Sequence, residues 1–373
     1  MKIVVASDSF KGSLTNEEIN DIWLKTAEKD DDTEIIPLLI ADGGDGTLDS
    51  IIKQKNGEFV FVRVRDPLFN EIQARYGVFD DCAVISMCEA SGLTLVDEKR
   101  RNPMKTTSYG TGELIKDAVL SGKKKIYITL GGSAVNDCGI GALSALGYKF
   151  IKADGSICSG VGGELSDIKN IDSSDAVNKK GVEFIILSDV TNRLCGKAGA
   201  AYTFARQKGA NENDIEFLEK GAMNFSEVLF AKYGVDANEI IGGGAAGGMG
   251  AGLSAVLGAK IISGIETVLD LVGFDEKIYT ADYVITGEGR IDSQSKDGKL
   301  ISGVIKRSKK LGVPVIAVAG SVGNGIDEMY SQGLTAVFSI VNEPMSLDDA
   351  MARSKALYEK TARNVYNMIK ARV

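Results

Sequence analysis

The stretch MKIVVASDSFKGSLTNEEINDIWLKTAEKDDDTEIIPLLIADGGDGTLDSIIKQK, residues 1–55, decides the fold. IVVAS at 3–7 is a short apolar run and predicts a buried strand. The loop DSFKGSLT follows. Thr15 or Asn16 then caps a helix whose first turn carries Glu17 and Glu18, where the helix dipole favours acids. EIIPLLI at 34–40 predicts a second strand, ADGGDGT at 41–47 a second glycine-rich loop, and TLDSIIKQK a second helix. Strand, loop and helix twice in succession is the grammar of an open α/β sheet. In such sheets the loops beyond the strands' carboxyl ends carry the ligands.

The pattern then changes. EFVFVRV, EIQARYGVF and CAVISM, between residues 58 and 88, alternate and are separated by turns, which predicts a β-rich segment and a domain boundary near residue 66. Strand–turn–helix returns with IYITLGG at 126–132 and FIILSDV at 184–190, followed by a long helix over roughly 213–233. A very glycine-rich stretch fills 240–259, and YVITGEG, VPVIAVAG and LTAVFSI close the chain as α/β. Residues 1–66 and 282–373 are therefore expected to build one discontinuous domain, with 67–281 inserted as a second.

Composition narrows the chemistry. The chain has 373 residues, 44% of them apolar and 25% charged, as an ordinary globular protein does. A net charge of -8 argues against nucleic acid and anionic membranes as partners. No apolar run reaches membrane-spanning length, and the N-terminus does not read as a signal peptide. The five cysteines form no CxxC pair and read as reduced thiols, which points to the cytoplasm. There is no histidine, so imidazole acid–base chemistry, His-based triads and HExxH zinc sites are all excluded.

GGGAAG at 242–247 formally matches GxGxxG, but the preceding strand would be very short, and close helix packing accounts for its glycines equally well. The loops at predicted strand ends are more telling. DSFKG carries Asp8 and Lys11; ADGGDG carries Asp42, Gly43, Gly44 and Asp45. GGSAVNDCG carries Gly132, Ser133, Asn136 and Asp137; SDVTN carries Asp189 and Asn192; TGEGRIDSQ carries Glu288, Arg290 and Asp292. Any one of these is explained by turn chemistry alone. Together they supply backbone N–H groups for phosphate, carboxylates for a divalent metal, and cations, the parts phosphoryl transfer needs.

These blocks carry a resemblance to the bacterial type I glycerate kinases. It runs end to end through MKIVVASDSFKGSLT, ADGGDGTLD, VRDPLFNEIQARYG, CEASGL, RNPMKTTSYGTGELI, LGGSAVNDCGIGALSALG, SDVTNRLCGKAGAAYTFARQKGA, GGGAAGGMGAGLSAVLGA, VITGEGRIDSQSKDGK and VPVIAVAG. The resemblance implies a kinase that uses ATP and Mg2+ on D-glycerate, usually giving 2-phosphoglycerate. It also implies a flavodoxin-like open parallel-sheet domain interrupted by a mixed α/β domain, with the active site in the cleft. Two departures stand out. Ser7 takes the place of a frequent proline, and Ser295–Lys299 reads SKDGK where the family often has T-x-H-G-K.

On this reading Asp189 orients and deprotonates the glycerate hydroxyl. Asp42 and Asp45 are candidates for metal or substrate, and Lys11 and Arg290 for phosphate or the glycerate carboxylate. Asp8, Gly43, Gly44, Gly132, Ser133, Asn136, Asp137, Asn192, Glu288 and Asp292 complete the substrate- or nucleotide-binding set. The product, 2- or 3-phosphoglycerate, stays open, and a homodimer is compatible with the sequence. The rival readings are a kinase of the same family acting on another small hydroxy acid, a non-catalytic nucleotide sensor, and a nicotinamide dehydrogenase resting on GxGxxG alone.

Overall fold

The apolar run Ile3–Val5 and its neighbouring strands build the first unit's main sheet. The structure is a computed structural model and describes residues 1–371 except 42, 43, 45, 294 and 296–299. The chain divides into two compact units, one of Met1–Asp42, Lys53–Lys55 and Ile265–Val373, the other of Gly43–Ile52 and Asn56–Gly264. The units change over at 42–43, 52–53, 55–56 and 264–265.

The first unit holds a five-stranded sheet in the spatial order Leu334–Ser339, Val315–Ala319, Tyr283–Thr286, Lys2–Val5 and Glu34–Pro37, parallel throughout. Numbered along the chain within this unit, that order is the flavodoxin-like 2-1-3-4-5. Ile3, Val5, Ile285, Ile316 and Val318 alternate onto one face, where they pack with the helices Asn16–Ala27 and Ser354–Lys370. Trp23 of the first helix is wholly buried there, and its indole N–H donates to the Tyr358 hydroxyl at 3.2 Å. Truncating such an aromatic costs about 3–5 kcal/mol. Thr15 is the N-cap: its hydroxyl accepts from Glu18 N, and the Glu18 carboxylate accepts from Thr15 N, both at 3.1 Å.

The second unit holds a mixed six-stranded sheet. Lys260–Ile262, Glu183–Leu187, Lys125–Thr129 and Cys82–Ser86 run parallel; Glu71–Phe79 and then Glu58–Arg65 extend the edge antiparallel. Asp66 sits in the turn between these last two strands, where its carboxylate accepts from Leu68 N at 2.7 Å and Asn70 N at 2.9 Å. Cys82–Ser86 is buried at every position, as a central parallel strand covered on both faces should be. The helix Thr47–Gln54 is fastened to this sheet by Arg75, whose guanidinium pairs with Asp49 at 2.9 Å and Glu89 at 3.1 Å.

The glycine-rich stretch is packing material. The helix Ala245–Leu257 is interrupted by left-handed backbone at Ala246, Gly247 and Gly248. A Cβ on Gly247 would lie 2.3 Å from the Val135 carbonyl oxygen, so only glycine permits that approach. Among the described residues all five cysteines are free thiols, and no helix is long and apolar enough to cross a membrane.

Candidate active site

In the first unit the loops after Lys2–Val5 and Tyr283–Thr286 leave adjacent strands at the point where strand order reverses, the place where open α/β sheets bind ligands. They are tied together. Asp8 N donates to the Gly287 carbonyl at 2.9 Å, and the buried Ser7 hydroxyl donates to the same carbonyl at 3.1 Å. Gly287 itself has no room for a side chain, because a Cβ there would meet Val318 O at 2.0 Å. Asp8 is half-buried and accepts from Ser9 N at 2.7 Å. Lys11 is exposed. Glu288 and Asp292 are half-buried, and Arg290, 69% exposed, donates through Nε to Asp292 at 3.0 Å. The structure therefore groups Asp8, Glu288, Arg290 and Asp292 on neighbouring loops of one sheet.

In the second unit two turns matter. The turn after Lys125–Thr129 runs from an accessible rim, Gly131 to Ser133, into the interior. Asp137 is fully buried, and its carboxylate accepts from Ser108 N and Oγ at 2.7 Å, Gly139 N at 3.0 Å and Gly141 N at 3.3 Å. It joins the start of the helix Tyr109–Leu120 to the start of Ile140–Ala145. Burial pushes its carboxyl above the ordinary range, against the pull of those donors. Asn136 is equally buried, yet neither atom of its amide has a partner among the described residues.

The turn after Glu183–Leu187 presents Asp189 half-buried. Its Oδ1 accepts from Ser263 Oγ at 2.7 Å and Gly264 N at 3.1 Å, at the start of the helix Gly264–Leu271. That grip fixes the carboxylate's direction. Asn192 donates to the Ala198 carbonyl at 2.8 Å and bends the following loop. Gly44 lies just before the helix Thr47–Gln54, and its carbonyl accepts from Thr47 N at 3.3 Å. Asp42, Gly43 and Asp45 lie outside the described residues, and no group of three metal-ligating side chains occurs among those described.

Sequence reasoning missed three participants. Ser263 and Ser108, which grip Asp189 and Asp137, sit 74 and 29 positions away from them. Lys208 reads as a surface lysine within ARQKGA, yet it is 2% exposed, and its ammonium donates to the Val135 carbonyl at 2.6 Å. Burial pulls it down to about 7, with Asp137 acting weakly in the other direction.

Comparison with known proteins matches the chain to a family. The model of the glycerate kinase family matches residues 3–370. A glycerate kinase of Halalkalibacterium halodurans is 42% identical over 369 residues, covering 97% of each chain. The Escherichia coli K12 protein named glycerate 2-kinase is 40% identical over 369 residues, 98% of this chain and 97% of its own. A crystal structure from Salmonella typhimurium LT2, named as a candidate glycerate kinase 2, superimposes with a TM-score of 0.87 at 40% identity, covering 100% of this chain and 98% of that one. The chain is an enzyme of the kinase class and belongs to the glycerate kinase family.

Proposed function

We propose that this protein transfers the γ-phosphoryl group of ATP to the 2-hydroxyl of D-glycerate, giving 2-phosphoglycerate and ADP. The observation that carries the reading is Asp189: a half-buried carboxylate at the end of a buried strand, aimed by two hydrogen bonds to one of its oxygens. In the proposed step the hydroxyl loses its proton to Asp189 as its oxygen forms the new P–O bond. The bond between the γ-phosphorus and the bridging oxygen of ADP breaks on the opposite side. Choice of the 2-hydroxyl follows the name of the Escherichia coli relative.

Arg290 presents a planar fork suited to the glycerate carboxylate, and Lys11 a mobile point charge suited to phosphate. Asp8, Glu288 and Asp292 on the first unit's loops are further candidates, and so, on the second unit's, are Gly44, Gly132, Ser133, Asn136 and Asn192, which offer polar and backbone groups. Asp137 shapes the turn that carries Asn136. Magnesium suits the donor set, which is hard carboxylate oxygen with no imidazole, and Asp42 and Asp45 would hold it. When bound it neutralises phosphate charge.

The test is ADP release by purified protein with D-glycerate, L-glycerate, lactate or no acceptor, with and without divalent metal. Release that depends on both D-glycerate and metal is expected. Equal turnover without acceptor, or none with D-glycerate, would refute the reading.

A further inference from the structure

The turn Gly131–Asp137 is pinned at several polar groups. The Gly132 carbonyl accepts from Leu93 N at 2.7 Å, the Ala134 carbonyl from Thr106 Oγ1 at 2.8 Å, and the Asp137 carbonyl from Ile140 N at 3.0 Å. Ala134 N donates to the Ser91 carbonyl at 2.9 Å, and the Asp137 carboxylate takes four donors. Two groups break the pattern, and they are adjacent. The Asn136 amide is buried with both polar atoms unpartnered, and Lys208 brings a buried ammonium to the neighbouring Val135 carbonyl. That one hydrogen bond uses one of the ammonium's three donors.

Both features carry a cost to stability. A buried polar atom left unpaired costs about 1–3 kcal/mol. A buried lysine carries a desolvation cost that an apolar side chain of similar volume does not, against which stands the one hydrogen bond it gives the Val135 carbonyl. Methionine at 208 would pack the same space without desolvating a charge. Costly polar groups held in fixed directions beside a reaction site are the mark of preorganisation, which trades stability for activity.

We propose that Lys208 is a positioning residue for phosphoryl transfer, acting through the Val135 carbonyl to set the Gly131–Asn136 turn and, with it, the direction of the Asn136 side chain. The inference rests on the kinase reading above, in which this turn forms part of the substrate site. Lys208 touches no reacting atom. It holds the peptide that does the presenting, and Asp137, two residues on, is the charged group that acts on it.

The experiment compares wild type, Lys208→Met, Asn136→Ala and the double variant by kcat, KM and Tm. Lys208→Met should lower kcat at least about tenfold with KM for both substrates little changed, because the turn's geometry matters most in the transition state. Its Tm should hold or rise. Unchanged kcat in a folded Lys208→Met protein overturns the proposal. So does a Tm that falls together with kcat, since that is the signature of a merely structural lysine. Asn136→Ala should also lose at least about tenfold in kcat at unchanged or higher Tm, and the double variant should lose little more than the worse single. Fully multiplicative losses would deny that the two act as a unit. If Lys208→Met does not fold, Asn136→Ala decides, and normal kcat there overturns the proposal. Wild type without glycerate-dependent ADP release would instead sink the underlying reading, a result distinct from an active Lys208→Met protein.

Discussion

Two turns leave neighbouring parallel strands of the same sheet, and each carries an aspartate, yet they hold them in opposite ways. Asp137 faces inward, fully buried, with four donors on its carboxylate. Asp189 stays half-buried, and its Oδ1 accepts from Ser263 Oγ and Gly264 N. A carboxylate wholly buried among backbone and hydroxyl donors builds a loop. One that keeps part of its surface in solvent is the one we propose for work on substrate. Chemical identity and position after an apolar strand do not separate the two aspartates; burial does.

The largest effect on this contrast should come from Asp137→Ala. It strands four donors in the interior, and breaking such a buried network costs roughly 3–5 kcal/mol. A urea or thermal unfolding series should show a large loss of stability, and a change below about 1 kcal/mol would deny that Asp137 holds the turn. Asp189→Asn should do the reverse. Asparagine keeps Oδ1 for Ser263 and Gly264, so Tm should stay near wild type, while kcat falls at least about a hundredfold, on the order of 2.7 kcal/mol of barrier. Near-normal kcat in that variant would remove Asp189 as the proposed base.

The two aspartates looked alike in the sequence for a physical reason. What separates them is long-range: Ser108 lies 29 positions from Asp137 and Ser263 lies 74 from Asp189. The elements themselves were far more legible. EIQARYGVF, bounded by turn residues, is the strand Glu71–Phe79, and the capping pattern at Thr15 through Glu18 starts a helix at Asn16. Local periodicity and capping act within a few residues, so a single sequence carries them. The burial of Lys208 depends on a turn some seventy residues earlier in the chain, and nothing in RQKG signals it. Glycines 242, 244 and 247 match GxGxxG locally, yet a Cβ at any of them would lie within 3 Å of neighbouring atoms.

Lys208 adds a pH signature to the inward-facing turn. Its folded value, about 7, lies below the ordinary 10.5, so between those values the unfolded chain binds more protons than the folded one. Stability should therefore rise with pH across that window and be lost as pH falls towards 7, with a slope no steeper than about 1.4 kcal/mol per unit. Lys208→Met should flatten this component in denaturation curves taken from pH 7 to 10. An identical slope in both proteins would contradict a buried, depressed lysine. Without histidine, no imidazole contributes near pH 7.

The smallest effect on stability belongs to the exposed loops of the first unit. Arg290 is 69% exposed and its pair with Asp292 lies at the surface. Arg290→Lys should leave stability within about 0.5 kcal/mol while raising KM for D-glycerate about tenfold, through loss of the bidentate fork. A stability loss without any change in KM would reverse the assignment.

The central claim, phosphorylation of glycerate at its 2-hydroxyl, is met most directly by phosphorus NMR of the product formed from ATP, Mg2+ and D-glycerate. The account predicts a single new phosphomonoester signal, coupled to one carbon-bound proton as a phosphate on C2 requires, growing in step with ADP. A signal coupled to two protons would place the phosphate on C3 instead, and the appearance of inorganic phosphate alone would contradict transfer to glycerate altogether.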